Sequence, residues 1–218
     1  MEYAAFTGSA GWSNGMGKKI GIMGGTFNPV HNGHLLLAEH AREILELDEV
    51  LFIPSGNSYM KDASSVLEGS VRAHMLALAL EGNPYFHLSL IEIDREGPTY
   101  TCDTLAELKK LNPDNEYYFI VGADNLLMLE SWKNPEFVLQ NCIIAAAVRG
   151  TGTEEKLEKI AGHLIYEYQA DIRILPARYM DLSSSEIRKR LKDRASIRYM
   201  VPDKVLEYIE MNKLYQSV

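Results

Sequence analysis

The chain has 218 residues, 46% of them hydrophobic and 24% charged, and its formal net charge is −8. That length suits one domain, or one with a small appendage, able to bury a substantial core. The acidic balance argues against a nucleic-acid polymer as partner, and without an apolar run of about eighteen residues the chain has no evident way to span a membrane.

Residues 1–17 carry glycines and few aliphatic side chains, and read as a disordered leader or a mis-called start with Met16 as an alternative initiator. Residues 18–218 read as one domain, with 182–218 as its C-terminal helical part. The apolar run 19–23 predicts a buried strand, and 33–47 an amphipathic helix. A second strand over 50–54 closes at proline. Helical spacing recurs over 70–80, and 87–93 alternates as a strand does. A helix over 101–111 stops at Asn112-Pro113, and a strand over 117–121 runs into Gly122-Ala123-Asp124. The run CIIAAAV at 142–148 predicts a further strand, followed by a helix over 154–168 and a last strand over 171–175. Helices over 184–192 and 203–212 finish the chain. Strands separated by helices imply an α/β fold with a doubly wound, mainly parallel sheet, whose ligands sit beyond the carboxyl ends of the strands. The only cysteines are Cys102 and Cys142, which form no CxxC, and no secretory leader precedes them; both facts suggest a reducing cytoplasm.

Three stretches carry the chemistry. Residues 24–34 read GGTFNPVHNGH between a strand and a helix. Two glycines there allow a sharp turn and close approach of bare N–H groups. The helix start adds its own N–H groups, and His31 and His34, three apart, turn toward one side. Together they make a phosphate cradle. Each residue alone is explained as well by a turn, a loop or a cap, so the conjunction carries the reading. Residues 182–188, LSSSEIR, hold a capping box of Ser183 and Glu186, to which Ser184, Ser185 and Arg188 add anion donors. In GPTYTCDTL, residues 97–105, Thr101 or Asp103 caps the next helix and Tyr100 is a candidate wall for a flat ring. Trp132 is by default a core residue. Asp124 either bonds a ribose hydroxyl or caps a short helix. The histidines elsewhere lack metal-ligand spacing, so no protein metal site is expected.

With these residues in hand, the chain resembles the nucleotidyltransferase superfamily that carries HxGH and SSSxIR signatures. Within it, the chain is similar to the bacterial nicotinate-nucleotide adenylyltransferases from about Lys19 to Tyr215. The resemblance implies a Rossmann-like nucleotidyltransferase fold and transfer of the adenylyl group of ATP to nicotinate mononucleotide, giving deamido-NAD and pyrophosphate. It implies that His31, His34 and Arg188 are catalytic, and that Gly24, Gly25, Thr26, Phe27, Gly122, Asp124, Ser184 and Ser185 bind ATP. Lys61, Tyr100, Thr101 and Trp132 would bind the mononucleotide, and Mg²⁺ would arrive mainly on the ATP phosphates. A homo-oligomer is left open.

The chain departs from the family at Asn28, where Asp is common, an exchange that still allows a side chain to brace the turn through backbone N–H groups. It departs again at 58–61, Ser-Tyr-Met-Lys in place of Pro-Pro-His-Lys, and at Ser55-Gly56, where an Asn is usual. The last two fall on the acceptor side. Alternatives are therefore nicotinamide mononucleotide or phosphopantetheine as acceptor, CTP as donor, or a non-catalytic nucleotide-binding regulator.

Overall fold

A computed structural model describes residues 17–56, 66–147, 154–176 and 182–216. Residues 1–16 of the expected leader and residues 58–61 of the expected acceptor side, Lys61 among them, lie outside the described residues.

Six strands form one sheet: β1 (Lys19–Gly25), β2 (Glu49–Pro54), β3 (Phe86–Leu88), β4 (Glu116–Gly122), β5 (Ile143–Ala147) and β6 (Ile172–Leu175). Every pairing is parallel, and the spatial order is β3-β2-β1-β4-β5-β6. The order reverses between β1 and β4, which opens a crevice beyond their carboxyl ends.

Strand alternation sends side chains to two cores. Ile20, Ile22, Leu51, Ile53, Phe119 and Val121 meet the helices α3 (Thr101–Leu111), α4 (Ala123–Leu127), α5 (Pro135–Asn141) and α6 (Glu154–Tyr168). Met23, Val50, Phe52, Tyr118 and Ile120 meet α1 (Asn32–Leu45), α2 (Gly69–Leu80), α7 (Ser184–Lys192) and α8 (Asp203–Met211). Burial on both faces is why β1, β4 and β5 are apolar along most of their length. The C-terminal helices α7 and α8 thus share a core with α1 and α2, and Ile187, Val205 and Ile209 are fully enclosed in it. Both cysteines are buried free thiols, and burial pushes Cys142 up to about 12.

Two local expectations are corrected. The alternation over 87–93 does not continue as a strand: β3 ends at Leu88, and Asp94 N–H already turns back to Leu90 O at 2.9 Å. Ser89 N–H reaches Phe52 O at 2.9 Å, but the next rung would need an N–H from residue 54, which is proline. Neither Thr101 nor Asp103 caps α3, whose N-cap is Tyr100 without a side-chain cap bond; Asp103 instead pairs with Lys133 at 3.1 Å.

Candidate active site

The loop that leaves β1 carries the first stretch. Gly24 and Gly25 are the last residues of β1, and neither has a positive φ, so the expected sharp turn is not made by them. The left-handed residue is Phe27, at φ 49, followed by a cis Asn28–Pro29 peptide. What the glycines allow is close packing: a Cβ on Gly25 would lie 3.2 Å from the Phe27 ring, and one on Gly24 3.3 Å from Phe119. The Phe27 ring is itself core, 2% exposed, edge-on to His34 with centroids 5.0 Å apart. Its side chain supports the loop from behind and does not line an open surface.

Three carbonyls of this loop accept bonds from elsewhere in the chain. Thr26 O accepts from Arg72 at 2.8 Å, Asn28 O from Arg188 at 2.8 Å, and Pro29 O from the Ser184 hydroxyl at 2.8 Å. The two separated stretches, 24–34 and 182–188, are therefore in direct contact. The side chain of Asn28 also reaches beyond its own turn. Its Oδ1 accepts from Tyr215 Oη at 2.8 Å and from Leu67 N–H at 3.4 Å, joining the loop to the C-terminus and to the approach of α2. Burial holds the Tyr215 phenol above its ordinary range, opposed by the charges of Arg188 and Arg72, so it remains a donor.

His31 is the N-cap of α1 and 4% exposed; its ring stacks on His34 with centroids 3.6 Å apart. His34 Nδ1 accepts from His31 N–H at 3.2 Å, and its own N–H donates to His31 O at 2.9 Å. With Nδ1 an acceptor, the neutral ring carries its proton on Nε2. A Cβ on Gly33 would sit 3.0 Å from His31 Nδ1, so the glycine of HNGH makes room for this stack.

In α7, Ser183 Oγ accepts from Glu186 N–H at 3.1 Å and lies 3.1 Å from Ser185 Oγ. The Ser184 hydroxyl proton is engaged on Pro29 O. What Ser184 offers an anion is consequently its backbone N–H, and Ser185 adds its own; the first helical turn leaves both without intrahelical partners.

Beside this knot, between β1, β2 and β4, lies a cavity of about 250 Å³. Gly24, Gly25, Thr26 and Ser55 form one side, Tyr100, Thr101 and Trp132 the other, with Phe119 on the floor. Trp132 is edge-on to Phe119 at 5.7 Å, and Lys133 Nζ lies 4.1 Å over the Tyr100 ring. Trp132 Nε1 and Ser55 Oγ are buried without hydrogen-bond partners among the described residues, the kind of orphaned group that a ligand would satisfy. Trp132 both packs against the core through Phe119 and lines the cavity. Gly122 is the N-cap of α4 and Asp124 stands exposed in its first turn; the residue of α4 that reaches the cavity is Asn125.

Two charged residues here carry no motif signal. Glu92 lines the cavity and is held above the usual carboxylate range by burial, against the opposing pull of the Thr104 and Thr99 hydroxyls, Arg95 and the Gly56 N–H. Thr104 Oγ1 donates to Glu92 Oε1 at 2.9 Å while accepting from Arg95 at 2.8 Å. Arg72, in α2, is 2% exposed. Within its helix it stands with Ser70 and His74 as a polar residue in an otherwise apolar segment, and only tertiary structure reveals what it holds. Among the described residues no group of three His, Cys, Asp or Glu side chains could hold a metal ion, and no helix is long and apolar enough to cross a membrane.

A parallel sheet with a crevice at its switch point and a glycine-histidine loop tied to a serine-arginine helix defines a class of nucleotide-handling protein, and the profile of that class, described as cytidylyltransferase-like, matches residues 22–190. Among curated proteins, the probable nicotinate-nucleotide adenylyltransferase of Lachnoclostridium phytofermentans is 44% identical over 91% of this chain and 99% of its own. That of Moorella thermoacetica is 40% identical over 91% of this chain and 92% of its own. The chain belongs to the nicotinate-nucleotide adenylyltransferase family, within the cytidylyltransferase-like class. Among solved structures, the Plasmodium falciparum nicotinic acid mononucleotide adenylyltransferase complexed with NaAD shares the fold, with TM-score 0.74 and 21% identity over 91% of this chain and 97% of that one.

Proposed function

We propose that the chain transfers the adenylyl group of ATP to nicotinate mononucleotide, releasing pyrophosphate and deamido-NAD. The observation that carries this reading is the contact of Arg188 and Ser184 with the carbonyls of Asn28 and Pro29, which joins two anion-binding stretches into one locus. The names of the relatives support the choice of donor and acceptor.

A 5′-phosphate oxygen of the mononucleotide attacks the α-phosphorus of ATP in line. A new P–O bond forms, the bond to the β-phosphate bridging oxygen breaks, and pyrophosphate leaves with that electron pair. The attacking oxygen is already anionic, so no general base is needed. The protein's part is to orient two anions and offset developing charge. His34 Nε2–H donates to the transferring phosphate, and His31 orders it through the stack and the shared hydrogen bond. The N–H groups of Ser184 and Ser185 and the outer N–H groups of Arg188 hold the β and γ phosphates. Gly24, Gly25 and the backbone of Thr26 and Phe27 flank the reacting centre, and Gly122 and Asp124 lie toward the adenosine. Tyr100, Thr101 and Trp132 receive the pyridine ring; Lys61, for the mononucleotide phosphate, rests on the family resemblance alone.

The amide N–H groups and the guanidinium gathered at this locus suit phosphate oxygens. A Mg²⁺ ion would be carried by phosphate oxygens and water, where it neutralises charge on the polyphosphate. The buried thiols suit a reducing cytoplasm.

The test is pyrophosphate release from ATP or CTP against nicotinate mononucleotide, nicotinamide mononucleotide and phosphopantetheine. ATP with nicotinate mononucleotide should give the highest kcat/KM, and His34→Ala should lower kcat by on the order of 10²–10³. Preference for another acceptor would reassign the substrate, and no release with any of them would leave a nucleotide-binding regulator.

A further inference from the structure

Arg72 is among the most buried charged side chains of the described residues, and its bonds go to three separate segments. Nε donates to Leu67 O at 2.9 Å, one terminal nitrogen to Thr26 O at 2.8 Å and the other to Ser55 O at 2.7 Å. Thr26 follows β1, Ser55 follows β2, and Leu67 leads into α2. Thr26 and Ser55 both line the cavity.

We propose that Arg72 is a positioning residue for adenylyl transfer, its rigid fork setting the loops after β1 and β2 at the separation and orientation the two reacting phosphates require. This rests on the adenylyl-transfer reading of the same site.

The geometry gives the proposal content. A guanidinium is planar, so three acceptors bonded to it in one plane have their mutual positions fixed, which a flexible ammonium cannot do. In a trans peptide the carbonyl and the following N–H point to opposite sides. Drawing Thr26 O toward α2 therefore turns Phe27 N–H the other way. The Ser55–Gly56 peptide is held from both sides, its oxygen by Arg72 and its N–H by the Glu92 carboxyl. The space at Gly56 is closed as well, since a Cβ there would lie 2.1 Å from Glu92 O.

Charge supports the assignment. The three acceptors are neutral carbonyls, and no described carboxylate pairs with Arg72, so its positive charge is not cancelled by them. Tyr215 registers both Arg72 and Arg188, which places the two cations around the same Asn28 loop.

The experiment compares wild type, Arg72→Lys and Arg72→Gln by thermal melting and by steady-state kinetics with the acceptor that wild type turns over best. In a variant that melts cooperatively, kcat should fall on the order of 100-fold, as misplacement of a reacting group predicts. The KM for each substrate should move less than about threefold, the pattern of an interaction that matters mainly in the transition state. A folded variant with kcat within about twofold of wild type overturns the proposal. So does failure of both variants to melt cooperatively, because Arg72 would then be a residue of the fold alone. Wild type that releases no pyrophosphate removes the adenylyl-transfer reading and this one with it; an active wild type beside an unimpaired Arg72→Lys removes only this one.

Discussion

Glu92 shows how a side chain without a motif shapes a site. Its carboxyl sits in the cavity wall under the Thr104 hydroxyl and the Gly56 N–H, and burial raises its affinity for a proton. Because its folded pKa lies above the unfolded value, the stability linked to it is fully present at acidic pH and is lost as pH rises through the raised value. Glutamine resembles the protonated acid and does not titrate. The melting temperature of Glu92→Gln minus that of wild type should therefore be more positive at pH about 8 than at pH about 4.5. A difference independent of pH would show that Glu92 keeps its ordinary proton affinity in the fold. At this scale the legible residues were those in dense, improbable strings: His31, His34, Ser184 and Arg188 announce themselves by spacing, and the structure brings their stretches into contact. Arg72 and Glu92 were illegible because each stands alone in an ordinary element. Ser184 stands out in sequence as an anion donor, yet its hydroxyl donates to Pro29 O, a partner 155 positions away that no local pattern encodes.

Among the elements, α7 has the most to hold in place. It carries Ser184 and Arg188 at one end and is anchored by Ile187, which is fully buried against the α1 face of the sheet. Ile187→Ala should cost about 2–5 kcal/mol, through lost burial and the cavity left behind. Urea unfolding reads this as a lower midpoint at unchanged slope, and a midpoint equal to wild type would mean that α7 does not depend on that anchor. Helices with strong period and clear stops, α3, α6 and α7, begin and end where the sequence places them. The failures have local causes. β3 stops early because Pro54 lacks the N–H its neighbour needs. α5 carries no periodic signal because seven residues are too few for one, although Asn134 accepting from Phe137 N–H at 3.4 Å and Pro135 in the first turn mark its start. Gly24-Gly25 suggested a turn, whereas both residues finish a strand and the chain bends at Phe27.

For the molecule as a whole, the alternation of strand and helix was enough to expect a parallel sheet, since a right-handed crossover is nearly obligatory. It was not enough for the spatial order, because which side of β1 the chain returns to depends on how the two cores fill. Once that order is known, ligand binding in the crevice between β1 and β4 would couple to global stability. Ligands that bind only the folded chain at about 100 times their Kd should add about 2.7 kcal/mol. Thermal melts with ATP and with deamido-NAD should each shift upward and saturate. A melting temperature indifferent to both would argue against a nucleotide site in this crevice.

The ends of the sheet have a consequence of a different kind. Its flanking strands are only three and four residues long, β3 on one side and β6 on the other, and β6 carries an exposed Arg173 paired with Asp171. A foreign backbone seeking to lengthen the sheet finds few rungs at either margin, and at one of them a charge that has to be moved aside. Such short margins guard against strand-by-strand accretion into aggregates.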